Sequence, residues 1–212
     1  MKLKPELEQY ILEQSGQPDQ LLAELERETS LKVLNPRMLS GQLQGNILAM
    51  LSKMIKPFSI LEIGTYTGYS AICLARGLQQ GGRLITIEIN DELETIAGKY
   101  FKQAGLKEVI EQRFGPALKI LPLLSGPFDL VFIDADKKEY ASYYQMVFDK
   151  IVPGGWIIAD NTLWDGKVTS DSAVNDPQTR GIFEFNKLVA SDQRVEKIIL
   201  PIRDGISIIR KK

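Results

Sequence analysis

The sequence predicts an α/β fold in which helices cover both faces of a seven-stranded sheet. From Ser59 onward, short apolar runs alternate with helical patterns, as is typical of a parallel, doubly wound sheet. Residues 128–133, apart from Asp129, and residues 156–159 are apolar, as expected of strands buried on both faces. The last two runs are separated only by residues 201–205, which is too short for a parallel crossover and allows only a hairpin. We therefore expect a Rossmann-like sheet that is mostly parallel, with the last strand antiparallel.

The N-terminal section carries three helical patterns and no strand pattern. Asp19 can cap the second helix, because its carboxylate can accept hydrogen bonds from the free N–H groups of a first turn. Apolar residues at helical spacing between Leu43 and Met54 indicate a longer third helix. We expect residues 1–54 to form a helical lid or packing layer and residues 55–212 to form the α/β core of one domain, 1–212.

The remaining elements follow from the spacing of apolar residues, which is continuous or alternating in strands and three to four residues apart in helices. The predicted strands are residues 60–63, 83–88, 109–112, 128–133, 156–159, 195–200 and 206–210. The predicted helices are residues 69–78, 91–104, 117–121, 140–150 and 178–190, and residues 161–177 form a polar loop. Tyr140, Tyr143 and Tyr144 lie at helical spacing, so we expect them to pack in the core.

Composition excludes several classes of function. The chain has 212 residues, a formal net charge of −1, no histidine and a single cysteine, Cys73. Without histidine there can be no Ser-His-Asp triad and no histidine zinc site, and one cysteine cannot form an intrachain disulfide. The near-zero charge provides no global field for nucleic acid or an anionic membrane. With no signal peptide and no apolar run long enough to span a bilayer, we expect a cytoplasmic protein with no membrane partner.

Polar side chains follow two of the predicted strands at the point where each strand ends. Asp134 comes directly after residues 128–133, and Asp160 and Asn161 come directly after residues 156–159. Parallel neighbours in a sheet would bring these ends to one edge, where open α/β sheets bind ligands. Two carboxylates and one amide suit Mg²⁺ best, with Mn²⁺ or Ca²⁺ as alternatives, and Lys137 would lie beside the ion. The alternative is that the acids cap loops and Asn161 makes a turn.

A glycine-containing loop joins the first predicted strand to the helix that follows it. Gly64 permits a tight turn and Gly68 a close backbone approach, but the G-x-x-x-G spacing is neither a dinucleotide fingerprint nor a P-loop. Glu62 is an acid inside an apolar strand. Glu88 ends the second strand, where a carboxylate can accept both ribose hydroxyls of a nucleoside. The alternative for Glu88 is a solvated strand end.

Five segments taken together resemble one family. They are LEIGTYTGYS (61–70), GPAL (115–118), FIDADK (132–137), PGGWIIADNTLW (153–164) and LPIRDG (200–205). From about Met38 to the C-terminus, the chain resembles the cation-dependent, class I S-adenosylmethionine O-methyltransferases, the group that contains the catechol and caffeoyl-CoA enzymes. Arg203 departs from this resemblance, because a glycine is common at that position. The departure concerns the choice of acceptor rather than the chemistry.

The resemblance implies a role for each matching position. The residues that would surround S-adenosylmethionine are Met38, Glu62, Gly64, Ser70, Glu88, Ala117 and Asp134. The metal ligands would be Asp134, Asp160 and Asn161. Lys137 would be the general base, and its pKa is expected to be lowered beside a bound cation. A homodimer is also implied.

These expectations favour an enzyme that methylates a hydroxyl of a catechol-like small molecule, a vicinal diol that chelates the metal. The first alternative is a tRNA methyltransferase that acts on a hydroxylated uridine with the same site. Lys137-Lys138, Arg203 and the basic C-terminus leave room for it, although the near-neutral charge weighs against it. A nicotinamide-dependent reductase is disfavoured by the G-x-x-x-G loop and the terminal hairpin. A binding module without catalysis is disfavoured by the intact set of metal ligands.

Overall fold

The computed structural model of the protein describes residues 4–16, 19–169 and 176–212 and contains a seven-stranded sheet. The strands are β1 (Ser59–Ile63), β2 (Arg83–Glu88), β3 (Ile110–Phe114), β4 (Phe128–Ile133), β5 (Ile151–Asp160), β6 (Val195–Leu200) and β7 (Ile206–Lys211). Their order across the sheet is β3-β2-β1-β4-β5-β7-β6. The β2–β3 and β4–β5 pairs are parallel, whereas β7 is antiparallel to both β5 and β6. The predicted fold class and the terminal hairpin are confirmed.

Eight α-helices are present in the described part of the chain. They are α1 (Pro5–Gln14), α2 (Gln20–Lys32), α3 (Gly41–Ile55), α4 (Tyr69–Ala75), α5 (Glu94–Gln103), α6 (Ala117–Ile120), α7 (Tyr140–Phe148) and α8 (Pro177–Ser191). Several predicted bounds shift. The helix predicted over 69–78 ends at Ala75, and the one predicted over 91–104 begins with a 3-10 turn at Asp91–Leu93. The predicted loop contains a 3-10 segment, Trp164–Thr169, and residues 170–175 lie outside the described part.

Strand β5 is the element whose extent was predicted least well. The prediction began at Trp156, but the strand begins at Ile151. Phe128 pairs with Ile151 and Leu130 pairs with Trp156, so β5 carries extra residues that are absorbed by an irregularity in the register. Pro153, Gly154 and Gly155 lie in this stretch, and these residue types normally indicate a turn.

The chain divides into two compact units, the first formed by residues 4–60 and 65–115. Here α2 packs against α4 and α5, with Leu22, Leu25 and Thr29 buried. As predicted, Asp19 caps α2 by accepting a hydrogen bond from the Leu22 N–H at 3.0 Å. Glu28 accepts hydrogen bonds from Lys32, Lys99 and Tyr100, which hold the pKa of its carboxyl at about 2. Polar contacts therefore connect α2 to α5 in addition to the apolar packing.

The second unit consists of residues 61–64 and 116–212. Helix α8 packs against α7, and the ring of Phe185 meets Tyr140 edge-on, with ring centroids 5.5 Å apart. Tyr140, Tyr143 and Tyr144 are all buried, as predicted. A Cβ at Gly181 would lie 2.3 Å from the Lys137 carbonyl oxygen. Glycine thus lets α8 approach the backbone of the turn that carries Lys137.

No helix in the described residues is both long enough and apolar enough to cross a membrane.

Leu25→Ala should destabilise the protein by about 3 kcal/mol, because it opens a cavity at a fully buried leucine of α2. Leu31→Ala, in the same helix but at a side chain that is 75% exposed, should change stability by less than about 0.5 kcal/mol. Urea unfolding of both variants measures the difference. Equal midpoints for the two variants would contradict the packing of α2 described above.

Candidate active site at the carboxyl ends of the strands

The carboxyl ends of β4 and β5 lie side by side. Ile133 pairs with Ala159 in parallel register, so Asp134 and Asp160 follow at the same edge of the sheet. Asp160 is 4% exposed, and Asn161 follows it with a φ of 57°, a left-handed conformation that asparagine tolerates better than most residues. The prediction that these two strand ends meet is confirmed.

Lys137 lies in the turn that follows Asp134 and points back at it. Its Nζ is 2.7 Å from Asp134 Oδ1 and donates a hydrogen bond to the Tyr140 hydroxyl at 2.8 Å. The lysine is 8% exposed. Lys137 and Asp134 therefore form a nearly buried ion pair, and the neutral hydroxyl of Tyr140 accepts a second hydrogen bond from the lysine.

The pKa of Lys137 is raised in the protein without a bound cation. Burial favours the neutral amine, but the negative charge of Asp134 and the hydrogen bonds to Asp134 and Tyr140 outweigh it and raise the pKa above its ordinary value. The expected lowering presupposed a neighbouring cation. In the protein alone, the ammonium form is the stable one.

Tyr140 contributes a polar contact that its helical spacing did not reveal. Its hydroxyl accepts the hydrogen bond from Lys137 and lies 3.1 Å from the Asp160 carbonyl oxygen and 3.3 Å from that of Ile133. Burial raises the pKa of this hydroxyl, so it remains protonated and can donate to either carbonyl. The sequence indicates a core aromatic residue here, but it gives no sign that the hydroxyl lies between two strand ends.

Gly64 allows β1 to end against Asp134. Its φ is 104°, and a Cβ at this position would lie 2.0 Å from the Asp134 carbonyl oxygen, which no side chain could accommodate. The Asp134 N–H donates to the Ile63 carbonyl at 2.9 Å, which fixes the same junction. The predicted tight turn at Gly64 is therefore required by a backbone contact.

The segment after Asn161 is held by the β6–β7 turn and by α8. The N–H groups of Thr162 and Leu163 donate to the carbonyls of Gly205 and Asp204, and Asn186 Nδ2 donates to the Thr162 carbonyl at 2.7 Å. Arg203 adopts a φ of 50° in this turn, a conformation in which glycine would be less strained. The turn between the last two strands thus supports the segment that follows Asn161.

In the other unit, Glu88 is fixed at the end of β2 by backbone donors. Oε2 accepts from the Tyr66 N–H at 2.7 Å, and Oε1 accepts from the N–H groups of Ile89 and Asn90 at 3.0 Å each. Tyr66 has a φ of 49°, and its hydroxyl donates to the carbonyls of Leu34 and Asn35. Glu88 is therefore a half-buried carboxylate held by three backbone donors beside the glycine-containing loop, rather than merely a solvated strand end.

The other predicted cofactor residues are distributed over both units. Glu62 is fully buried in β1, and Ala117 is the first residue of α6 and is 8% exposed. Ser70 is buried in the first turn of α4, and Met38 is 61% exposed at the end of a 3-10 turn. Glu62, Gly64, Ala117 and Asp134 belong to one unit, and Met38, Ser70 and Glu88 to the other.

The predicted metal ligands offer an oxygen-only donor set. Within the described ranges, no group of three or more His, Cys, Asp or Glu side chains is arranged to hold an ion. The predicted set contains only two carboxylates, and its third member is the amide of Asn161. Carboxylate and amide oxygens at the end of a rigid sheet suit a hard divalent cation that keeps open positions, as Mg²⁺ does. The chemistry of the donors fits the predicted ion.

Comparison with known proteins identifies the family. The family described as O-methyltransferase matches residues 12–212. Caffeoyl-CoA O-methyltransferase 5 of Nicotiana tabacum is 36% identical over 221 residues, which cover 97% of this chain and 90% of that protein. Catechol O-methyltransferase of Niastella koreensis is 40% identical over 161 residues, 74% of this chain and 72% of that protein.

Solved structures agree with the sequence matches. The O-methyltransferase of Bacillus cereus, in complex with SAH, has a TM-score of 0.91 and 34% identity, covering 98% of this chain and 97% of that one. The O-methyltransferase TomG of Streptomyces achromogenes, in complex with SAM, has a TM-score of 0.90 and 29% identity, covering 98% and 96%. None of these four relatives is named for tRNA, so they give the tRNA alternative no support. The chain belongs to the O-methyltransferase family and is a class I, S-adenosylmethionine-dependent O-methyltransferase.

Proposed function

We propose that this enzyme methylates one hydroxyl of a metal-chelated, catechol-like vicinal diol, with Lys137 as the general base. The observation that carries the proposal is the cluster at the ends of β4 and β5, where Lys137 Nζ lies 2.7 Å from Asp134 Oδ1. The names of the caffeoyl-CoA and catechol relatives support a phenolic acceptor. A tRNA substrate is not part of the proposal.

For the cofactor, we propose the positions that the family resemblance indicates. Glu88 would hold the ribose hydroxyls, because three backbone N–H groups already orient its carboxylate. Gly64 would allow close approach of the ligand, and Ala117 would lie near the adenine. The remaining residues of the proposed set are Met38, Glu62, Ser70 and Asp134. S-adenosylmethionine supplies the electrophilic methyl group on its sulfonium.

For the cation, we propose Asp134, Asp160 and Asn161 as ligands. A divalent ion held there, Mg²⁺ or alternatively Mn²⁺ or Ca²⁺, would lower the pKa of a diol hydroxyl that it binds and fix the orientation of the diol. The burial of Asp160 and the backbone contact between Asp134 and Gly64 pre-arrange two of the three ligands. Rigid ligands reduce the entropy that is lost when an acceptor is oriented for attack.

Lys137 would take the acceptor's proton at Nζ. To do so the ammonium, which the Asp134 carboxylate stabilises, would first have to release one proton to solvent water. Any second positive charge that shares Asp134 would weaken this stabilisation and shift Lys137 toward the neutral amine. The hydrogen bond to Tyr140 would keep Nζ in place while its charge changes.

The proposal extends to the whole chain. We propose that residues 1–212 act as one methyltransferase domain, with residues 1–54 as its helical lid or packing layer. From the family resemblance, we also propose a homodimer that works in the cytoplasm.

Methyl transfer to a vicinal diol should be abolished by EDTA and restored by excess Mg²⁺, because the diol needs the cation to be activated and oriented. The measurement is product formation, by mass spectrometry, from catechol, caffeoyl derivatives, matched monophenols and a tRNA pool. Monophenols are the control, since they cannot chelate. Transfer that is indifferent to the chelator, or that uses monophenols or tRNA equally well, would contradict the proposal.

Lys137→Ala should lower kcat by roughly 10²–10⁴-fold while changing cofactor affinity little, because it removes the proposed general base and leaves the proposed ribose ligand, Glu88, in place. Lys138→Ala is the matched control, since Lys138 lies in the same turn with its side chain 50% exposed. Steady-state kinetics with calorimetric titration of S-adenosylmethionine separate the two effects. Wild-type kcat in Lys137→Ala would rule out Lys137 as the base.

Glu88→Gln should weaken S-adenosylmethionine binding by roughly tenfold or more, because an ionised acceptor of ribose hydroxyls becomes neutral. Glu92→Gln, an exposed acid in the turn that follows β2, should bind the cofactor as the wild type does. Calorimetry gives both dissociation constants. Identical constants for the two variants would exclude Glu88 as the ribose ligand.

A further inference from the structure

The hydroxyl of Tyr140 lies among three groups of the strand-end cluster. It is 2.8 Å from Lys137 Nζ, 3.1 Å from the Asp160 carbonyl oxygen and 3.3 Å from the Ile133 carbonyl oxygen. A tyrosine hydroxyl has one proton to donate and can accept at its oxygen. Because an ammonium can only donate, Tyr140 accepts from Lys137 and gives its proton to a carbonyl at the end of β4 or β5.

The ring that carries this hydroxyl has little freedom to move. Tyr140 is fully buried, and the edge-on contact with Phe185 of α8 holds its ring. Helix α8 also contacts the backbone of Lys137 and Lys138 through Gly181, where a Cβ would lie 2.3 Å from the Lys137 carbonyl oxygen. The hydroxyl and the turn bearing Lys137 are thus held by the same helix.

We propose that Tyr140 is the positioning residue of the general base, because its hydroxyl holds Lys137 Nζ at a fixed place relative to the ends of β4 and β5. This inference rests on the proposed function, in which Lys137 accepts the proton. Asp134 alone cannot fix the amine, since an ammonium can rotate around one carboxylate oxygen. With the Tyr140 oxygen as second acceptor, two hydrogen bonds hold Nζ, one of 2.7 Å to Asp134 and one of 2.8 Å to Tyr140.

Tyr140→Phe removes the hydroxyl and keeps the ring against Phe185. We expect kcat to fall by about tenfold, because the base spends less time in the reactive orientation. The KM for S-adenosylmethionine should stay within about twofold of the wild type, since only transition-state interactions are lost. Tyr143→Phe is the matched control: Tyr143 is 2% exposed in the same helix, but its hydroxyl donates to Glu139. Equal kcat in the two variants would overturn the inference.

A double-mutant cycle separates positioning from a general structural role. If Tyr140 acts through Lys137, then Tyr140→Phe should cost less than about twofold in kcat when introduced into Lys137→Ala. A loss in that background equal to the loss in the wild type would show that the hydroxyl supports the strand ends instead, and would overturn the assignment. Thermal unfolding of every variant establishes that the losses are measured on folded protein.

A readout that needs no catalysis is the acetylation of lysines by acetic anhydride, followed by tandem mass spectrometry. Lys137, at 8% exposure, should react more slowly than the exposed Lys138 beside it. In Tyr140→Phe the ratio of Lys137 to Lys138 labelling should rise by roughly threefold or more as the turn opens locally, and in Tyr143→Phe it should not. An unchanged ratio in Tyr140→Phe would overturn the inference even in an inactive preparation. A changed ratio in a protein without cation-dependent methyl transfer would refute the proposed function, and with it the role of Lys137 as base, while still showing that the Tyr140 hydroxyl holds Lys137 in place.

Discussion

The parallel register of β4 and β5 is the constraint on which the site depends. It brings Asp134 and Asp160 to the same edge of the sheet, where two carboxylates would repel each other in a poorly solvated environment. Lys137 neutralises part of this negative charge by pairing with Asp134, and its ammonium also donates a hydrogen bond to the Tyr140 hydroxyl. Breaking the ion pair is costly, because loss of Lys137 or Asp134 leaves the other charge, which is largely buried, without its partner.

Much of the fold could be predicted because burial leaves a direct trace in the sequence. Five of the six residues of β4 are apolar and buried, so the strand is recognisable in the sequence despite Asp129. The terminal hairpin follows from the length of the connection alone, since residues 201–205 are too few for a parallel crossover. The beginning of β5 was not predicted, because Pro153, Gly154 and Gly155 are typical turn residues. Only the pairing with β4 shows that the strand includes them, in an irregular register. Strand pairing depends on two segments, so the apolar pattern of one segment cannot predict it.

Some features of the candidate site could likewise be predicted from the sequence, and others could not. Asp134, Asp160, Asn161 and Lys137 stand out as polar residues after apolar runs, so the sequence identifies them. The donors that orient Glu88 are backbone N–H groups of Tyr66, Ile89 and Asn90, which every residue except proline possesses and which therefore leave no signal. The raised pKa of Lys137 in the protein without a cation also leaves no trace in the sequence, because it depends on a 2.7 Å distance rather than on residue type. The same is true of the Tyr140 hydroxyl, whose partners lie on two strands and a turn.

The contact at Gly181 limits which substitutions α8 can accept. Helix α8 begins directly after the segment that follows Asn161, yet a few residues later it is seated on the backbone of Lys137 and Lys138. Any side chain at position 181 would push the helix away from the turn that bears Lys137 and Lys138. Directed evolution of this protein should therefore keep glycine at position 181, because every other residue would disturb the backbone beside Lys137.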